Sequence, residues 1–392
     1  MNVPAAVSFC AALLCASAAF HPFVTYPLSL RFLARRRPLP IVPAVPAPPL
    51  SVAICVCAYN EARVIGARID NLLALRRSMP ELEILVYVDA ASDRTAEIAR
   101  AYGDAITLVE GHARLGKTHG MNTLVDMTRA DIVVFSDANV TFAPDALAKL
   151  VAPFSDADVG CVCGHLCYAE AGGETAATGS LYWRLEEHIK GLESATGSVM
   201  GADGSIFAIR RALHVKPPAH LIDDMFVSLS LLCRGARIVR QADAYAYEDA
   251  VAAPGEEFRR KIRIACQAFN VHRVLWPSLQ RLPALDFYKY VSHKLLRWLT
   301  VYFLVASALF LAIGLAALQA WNVLLAATVA TAAGSVVIAF GQQRLPSRLR
   351  EIAAAFTATG IGVARSWRGE KFQTWTPPAS ARVTSALQGG QA

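Results

Sequence analysis

Three acidic positions carry most of the chemistry legible in this chain. Asp137 ends the apolar run Ile132-Val133-Val134-Phe135 and opens Ser136-Asp137-Ala138-Asn139. Asp89 follows Ile84-Leu85-Val86-Tyr87-Val88, and Asp223-Asp224 follow Leu221-Ile222. A carboxylate at the exit of a buried strand in an α/β domain stands at the carboxyl edge of the sheet, where such sheets bind ligands. Acids gathered on one such edge point to a divalent cation and a charged leaving group. Oxygen ligands of this kind suit Mg2+ or Mn2+.

The elements that must position these acids follow from periodicity. Val52-Ala53-Ile54-Cys55-Val56-Cys57 reads as a strand that ends at Ala58-Tyr59-Asn60-Glu61, and Val64, Ile65, Ile69, Leu72 and Leu73 then recur at helical spacing. Strands are expected over 83–88, near 105–109 and up to Asp137, with helices over 95–102 and 117–128. Alternating strands and helices imply an α/β fold with a mainly parallel sheet and right-handed crossovers. Asp224 precedes Met225, Phe226, Leu229 and Leu232, an apolar helical pattern that places it at a helix start. Cys161, Cys163, His165 and Cys167 alternate along an expected strand. Four residues spaced by two span roughly 20 Å, too far for one tetrahedral zinc.

The chain has 392 residues, 55% of them hydrophobic, and a net charge of +7. The apolar excess lies in residues 1–30 and 292–341, while about 45–265 reads as a soluble domain with one sizeable core. Residues 3–30 lack Lys, Arg, Asp and Glu. Ala16-Ser17-Ala18 resembles a signal-peptide cleavage site, but no basic segment precedes it and the apolar run continues to Leu30, so a retained span is expected. The basic excess flanks the apolar ends, at Arg35-Arg36-Arg37, Arg344, Arg348 and Arg350 among others. That placement fits membrane orientation and anionic lipid; no nucleic-acid motif accompanies it. The nine cysteines lie mostly within apolar runs, as small buried hydrophobes. The expected organisation is an N-terminal transmembrane helix over 1–34, a basic proline-rich linker over 35–50, and an α/β domain over 51–270. A membrane region over 271–392 follows, with spans near 298–318 and 321–341, an interfacial or re-entrant helix near 350–365, and a tail. The charge rule puts the catalytic domain in the cytoplasm, on an integral inner or plasma membrane protein.

The order of motifs resembles the family 2 glycosyltransferases, membrane-anchored relatives of cellulose, hyaluronan and poly-N-acetylglucosamine synthases. The series runs Ala58-Tyr59-Asn60-Glu61, Asp89 to Asp93, Gly116-Lys117 with Asn122, Asp137-Ala138-Asn139, Asp223-Asp224, and Arg260-Lys261-Ile262-Arg263. The resemblance covers roughly 50–270 and implies the GT-A fold. It implies a nucleotide-sugar donor, a uridine nucleotide first among them, and a saccharide or lipid-linked acceptor. By this resemblance Ala58, Tyr59 and Glu61 cradle the nucleoside, Asp89 reads the base, and Lys117, Ala138 and Arg263 serve the donor. Gly201, Ala202 and Asp203 fall on the acceptor segment. Asp137 and Asn139 hold the metal, and Asp224 is the general base of an inverting transfer. Asp93 is equally an acid capping the helix that follows. Two departures stand out: Asn139 replaces the second acid of the family's Asp-x-Asp, and Arg260 and Ile264 replace the Gln and Trp of its Gln-x-x-Arg-Trp. The second departure keeps single sugar addition, onto a polyprenyl-phosphate or other lipid acceptor, as the rival to chain elongation. Together they keep open a catalytically silent membrane scaffold.

Overall fold

The computed structural model describes residues 2–36, 50–169, 181–249, 254–341 and 344–374. Most of the expected proline-rich linker, and the tail beyond 374, lie outside these residues. The chain opens with α1 (Val3–Phe20) and α2 (Thr25–Arg36) rather than with one continuous helix over 1–34. Pro22 accounts for the break, because its ring clashes with the carbonyl four residues back and it has no N–H to continue the ladder. The turn closes through Val24 N–H donating to Phe20 O.

The central region alternates as expected. In order come β1 (Val52–Ala58), α3 (Ile65–Arg76), β2 (Glu83–Val88), α4 (Thr95–Arg100), β3 (Thr107–Glu110), α5 (Lys117–Met127) and β4 (Ile132–Asp137). Then follow β5 (Val140–Phe142), α6 (Ala146–Val151), β6 (Val159–Ala169), α7 (Leu181–Ala195), β7 (Ile206–Arg210), α8 (Asp223–Cys233) and β8 (Arg237–Asp249). The eight strands form one sheet in the order β3-β2-β1-β4-β7-β6-β8-β5. The first four run parallel. Beyond β4 the sheet becomes mixed: β7 is antiparallel to β4 and β6, β6 and β8 are parallel, and β5 is antiparallel to β8. β1 leads outward to β2 and β3 on one side, whereas β4 lies on its other side. The strand order therefore reverses between β1 and β4, and a sheet's ligand crevice opens at such a point. Cys57 and Asp137 are register partners there.

One core cluster supports this edge. Ile54, Val56, Ile65, Ile69, Leu72, Val86, Ile132 and Val134 are buried together, with α3 supplying its apolar stripe against β1, β2 and β4. α5 approaches the sheet closely because position 120 is glycine: a β-carbon there would lie 2.5 Å from Tyr87 Cδ1 and 2.7 Å from Cys57 Sγ.

After β8 come α9 (Pro254–Leu279), α10 (Ala284–Tyr290), a π-helical turn (Val291–Leu295), α11 (Leu296–Ala317), α12 (Trp321–Phe340) and α13 (Arg344–Trp367). Among the described residues three helical runs are long and apolar enough to cross a bilayer: Val3–Phe20, Ala284–Ala317 and Trp321–Phe340. Gln319, at φ +55°, makes the turn between the last two. The basic stretch from Arg344 to Arg350 forms the first turns of α13, which runs unbroken to Trp367.

Contacts divide the chain into two compact units, neither of them contiguous. The described residues of Met1–Ser29, Glu257–Phe269 and Tyr288–Glu370 form one, and those of Leu30–Glu256, Asn270–Phe287 and Lys371–Ala392 form the other. Within the first, α1 packs on α11 where Gly314 leaves room for the Phe9 ring, and Ser307 Oγ donates to Ala12 O at 2.8 Å. α13 meets α11 at Gly360, whose carbonyl accepts from Tyr302 Oη at 2.8 Å. The second unit holds the whole sheet.

Gly120→Ala should force α5 off the sheet. Overpacking of this kind costs about 1–3 kcal/mol, so the melting temperature is expected to fall by a few degrees in a thermal scan of the detergent-solubilised protein. An unchanged melting point would show that α5 does not depend on that close approach.

Candidate active site

The carboxyl edge of the parallel strands carries two non-glycine residues with positive φ, Asn60 at +52° after β1 and Ala90 at +49° after β2. Such backbone is disfavoured for a residue with a β-carbon, and outliers of this kind cluster at functional sites. Asn60 holds its turn through its side chain, accepting from Ser92 N at 2.8 Å and donating to Ser92 Oγ at 3.1 Å. Asp93 ties the same edge, accepting from Ala62 N at 3.1 Å and from Thr95 N at 3.0 Å. Its position before α4 matches the capping alternative.

Asp89 is fully buried. Its Oδ1 accepts from Leu115 N at 2.8 Å and its Oδ2 from Gly116 N at 3.0 Å. The carboxylate expected to read a base thus also holds the glycine loop. Gly116 has φ +93°, and a β-carbon there would lie 2.1 Å from the Gln373 carbonyl oxygen. Gln373 Nε2 also donates to Leu115 O at 3.1 Å, so residues near the described C-terminal end lie against this loop. Arg114, in the same loop, places its guanidinium 3.7 Å from the centre of the Tyr59 ring.

The loop delivers Lys117, the first residue of α5, to the exit of β4. Lys117 Nζ donates to Asp137 Oδ1 at 2.6 Å and lies 3.9 Å from Asp223 Oδ2. Burial opposes the lysine's charge, but Asp137 and Asp223 outweigh it, and the net effect holds the ammonium protonated well above the ordinary lysine range. Asp137 Oδ2 accepts from Ser205 Oγ at 3.2 Å. Behind it, Arg68 of α3 is buried, with Nη2 donating to Ser136 Oγ at 2.7 Å and its guanidinium 4.4 Å from the centre of the Phe142 ring. Burial lowers the Arg68 pKa to about 9, partly countered by Asp137, which still leaves a cation at neutral pH.

α8 begins at Asp223-Asp224. Two bonds from α5 fix the segment leading to it: Thr118 Oγ1 donates to Leu221 O at 2.8 Å, and Asn122 Nδ2 to Pro217 O at 2.9 Å. Asp224 Oδ1 accepts from Met225 N at 2.6 Å. A β-carbon at Gly204 would lie 2.8 Å from Asp224 Oδ2 and 3.5 Å from Lys117 Nζ, so this glycine lets the strand-side loop, Asp224 and the lysine meet. Burial, then the charge of Asp223, raises the Asp224 pKa to about 7. A carboxylate so tuned is suited to accept a proton near neutral pH.

The expected acceptor segment lies beside this group. Gly201 has φ +110°, Ala202 N donates to Ser228 Oγ at 3.1 Å, and Asp203 accepts from the buried Lys190 at 2.5 Å. Glu61, Ala58 and Ala138 are buried at the edge. Tyr59 is partly buried there. Arg263 lies on α9 in the other unit, where Nη1 donates to Gln267 Oε1 at 3.0 Å. Asn139 turns its Nδ2 to Glu248 Oε1 at 3.0 Å. Among the described residues no three His, Cys, Asp or Glu side chains converge closely enough to cage a metal on their own. The donor set that is present, one carboxylate and one amide oxygen, fits a Mg2+-type ion that takes its remaining ligands from substrate phosphates and water. Arg68 and Glu248 adjoin the site without having been singled out from sequence. A signal existed for Arg68: it falls between Ile65, Ile69 and Leu72 on an otherwise apolar stripe.

This is the carboxyl edge of a nucleotide-type α/β fold, with one lysine and three carboxylates drawn together on it. Residues 53–216 match the model of the family described as glycosyl transferase family 2. A β-monoglucosyldiacylglycerol synthase of Trichormus variabilis is 32% identical over 117 residues, which are 28% of this chain and 25% of that protein. An N-acetylglucosaminyltransferase of Rhizobium leguminosarum bv. viciae is 25% identical over 66% of this chain and 65% of its own length. The matched stretches thus take in a quarter and just under two thirds of these relatives. A mannosyltransferase from Pyrobaculum calidifontis, solved with GDP-Man and Mn2+, shares the fold, with a TM-score of 0.73, 21% identity, and 93% of this chain and 100% of that one covered. The fold is GT-A, flanked by helices long enough to span a membrane.

Two outcomes follow from the Asp224 environment. If Asp224 is the base, kcat/KM should climb with pH through about 7 on a one-proton limb, and Asp224→Asn should remove that limb along with activity. Its folded pKa lies above the usual aspartate value of about 3.9. The folded protein therefore keeps a proton that the unfolded chain has released, and the stability this gives is lost as pH rises from about 4 through 7. Asp224→Asn should accordingly melt higher than wild type at pH 8, while the two converge toward pH 4.

Proposed function

We propose that this protein is a membrane-bound inverting glycosyltransferase. It moves a sugar from a nucleotide donor, a uridine nucleotide first among the candidates, to a saccharide or lipid-linked acceptor at the cytoplasmic face. The observation that carries this reading is the convergence of Lys117, Asp137, Gly204 and Asp224 in one cleft. Asp137 and Asp224 come from the ends of different elements, and both lie near Lys117.

In this reading the donor lies in the crevice between β1 and β4. The 58–61 edge and the Tyr59–Arg114 stack border the nucleoside, and Asp89 acts by holding the 115–116 backbone in place. Lys117 brings a fixed ammonium to the diphosphate and stabilises the charge that grows on the departing nucleotide. Asp137 and Asn139 would hold a divalent cation, which when bound neutralises the diphosphate as a Lewis acid. Ser205 and Arg68 orient Asp137 from the other side. Asp224 takes the proton of the acceptor hydroxyl as that oxygen attacks the anomeric carbon opposite the leaving nucleotide, and inversion results. The 201–203 segment borders the acceptor.

Addition of a single sugar to a lipid is favoured over elongation by two things. The family's tryptophan position holds Ile264, and one relative is named for a glucosyldiacylglycerol product. Membranes containing the full chain, offered radiolabelled UDP- and GDP-sugars in turn, should transfer label to lipid-extractable material of one discrete size. A ladder of larger products would instead favour polymerisation. Asp137→Ala and Asp224→Ala should each lower turnover by at least ~10²-fold, the scale of a lost acid–base group, while the proteins fold. EDTA should suppress transfer and added Mn2+ restore it. Full turnover by either variant would reject the assignment, and a chain that neither transfers nor hydrolyses any donor would be the silent scaffold.

A further inference from the structure

Asn139 occupies the place where the family's pattern has a second acid, and the sheet brings a different acid to it. Glu248 is on β8, whose antiparallel pairing with β5 sets Glu248 directly opposite Val140, one residue past Asn139. The Glu248 side chain is 8% exposed, and its Oε1 accepts from Asn139 Nδ2 at 3.0 Å. β8 is far from β4 in sequence, so nothing local foretells this pairing.

The contact has a direction. A carboxylate only accepts hydrogen bonds, whereas a carboxamide has a donating end and an accepting end on opposite sides of one carbon. Glu248 therefore selects one of the two orientations of the Asn139 amide, the one with NH2 toward β8. The oxygen is left as the group that Asn139 presents elsewhere. A hydrogen bond to a full negative charge also draws electron density onto that oxygen and makes it a better ligand for a hard cation.

We propose that Glu248 is a positioning residue for the cation of the donor diphosphate: it turns the Asn139 oxygen outward and restores, from β8, the negative charge missing at position 139. This rests on the reading of the cleft as a diphosphate–cation site. The acid of the usual pattern is thereby split into a ligand on the β4–β5 turn and a charge on β8.

The test is Mn2+ binding, followed by the electron paramagnetic resonance signal of free Mn2+, on the detergent-solubilised full chain with saturating UDP and, separately, GDP. Outer partners of metal ligands typically affect affinity by about 10–100-fold. Glu248→Gln, which can still accept from Asn139 but lacks the charge, should weaken Mn2+ binding by roughly 10-fold. Asn139→Ala should weaken it comparably, and the Asn139→Ala/Glu248→Gln pair should bind no worse than Asn139→Ala alone. The discriminating variant is Asn139→Asp/Glu248→Gln, which moves the charge back to position 139 and reverses the hydrogen bond. It should return Mn2+ affinity to near wild type, a rescue that a merely structural glutamate would not permit. Asp137→Ala separates the two layers of the argument. Loss of Mn2+ in Asp137→Ala with wild-type binding in Glu248→Gln would overturn the role of Glu248 and leave the cleft reading intact. Wild-type binding in Asp137→Ala, or no Mn2+ binding by the native chain with either nucleotide, would overturn both.

Discussion

A single half-buried ammonium holds this site together. Asp137, Asp223 and Asp224 come from two elements and would repel one another in a desolvated cleft; Lys117 stands among them and keeps its proton because of them. Removing water from a charge is costly unless an opposite charge and hydrogen bonds replace it. Here lysine and carboxylates make that exchange mutually. The same arrangement prepares the cleft for a ligand carrying negative charge, since a diphosphate offers the ammonium a second partner.

Much of the surrounding backbone can be understood as what it takes to bring that ammonium into place. Gly116 turns the chain at positive φ so that α5 can start at Lys117, and Asp89 pins the turn from below. Gly120 allows α5 to close on β1 and β2, and Thr118 and Asn122 draw in the segment that leads to Asp223. Gly204 removes the one side-chain atom that would separate Asp224 from the opposing loop. Strained residues at Asn60 and Ala90 shape the neighbouring strand exits. Function and stability pull in different directions here: a carboxylate raised to about 7 is a better base near neutrality and a poorer contributor to folding.

Much of the fold was legible because it rests on local periodicity. The strands ending at Ala58, Val88 and Asp137 and the helices starting at Lys117 and Asp223 fall close to where apolar spacing puts them. Two elements read differently in three dimensions for local reasons that length alone conceals. Pro22 splits the first apolar run, and the expected helix near 350–365 starts earlier, at Arg344, because no proline or glycine follows Pro346 within its first turns. The partners of Asp89 were not legible, since they are backbone amides of a loop 26 and 27 residues away.

Residue type and order alone determined that a membrane-associated α/β chain carries acids at strand exits, a lysine at a helix start and a paired acid at another, because strand alternation and helical spacing report the nearest neighbours of each residue. Only the tertiary structure decided which acids gather around Lys117, that Arg68 lies behind Asp137, that burial and Asp223 raise Asp224, and that Glu248 reaches Asn139. Those facts depend on pairing between distant strands and on desolvation by elements far apart in the chain. Neither leaves a mark on any short stretch of residues.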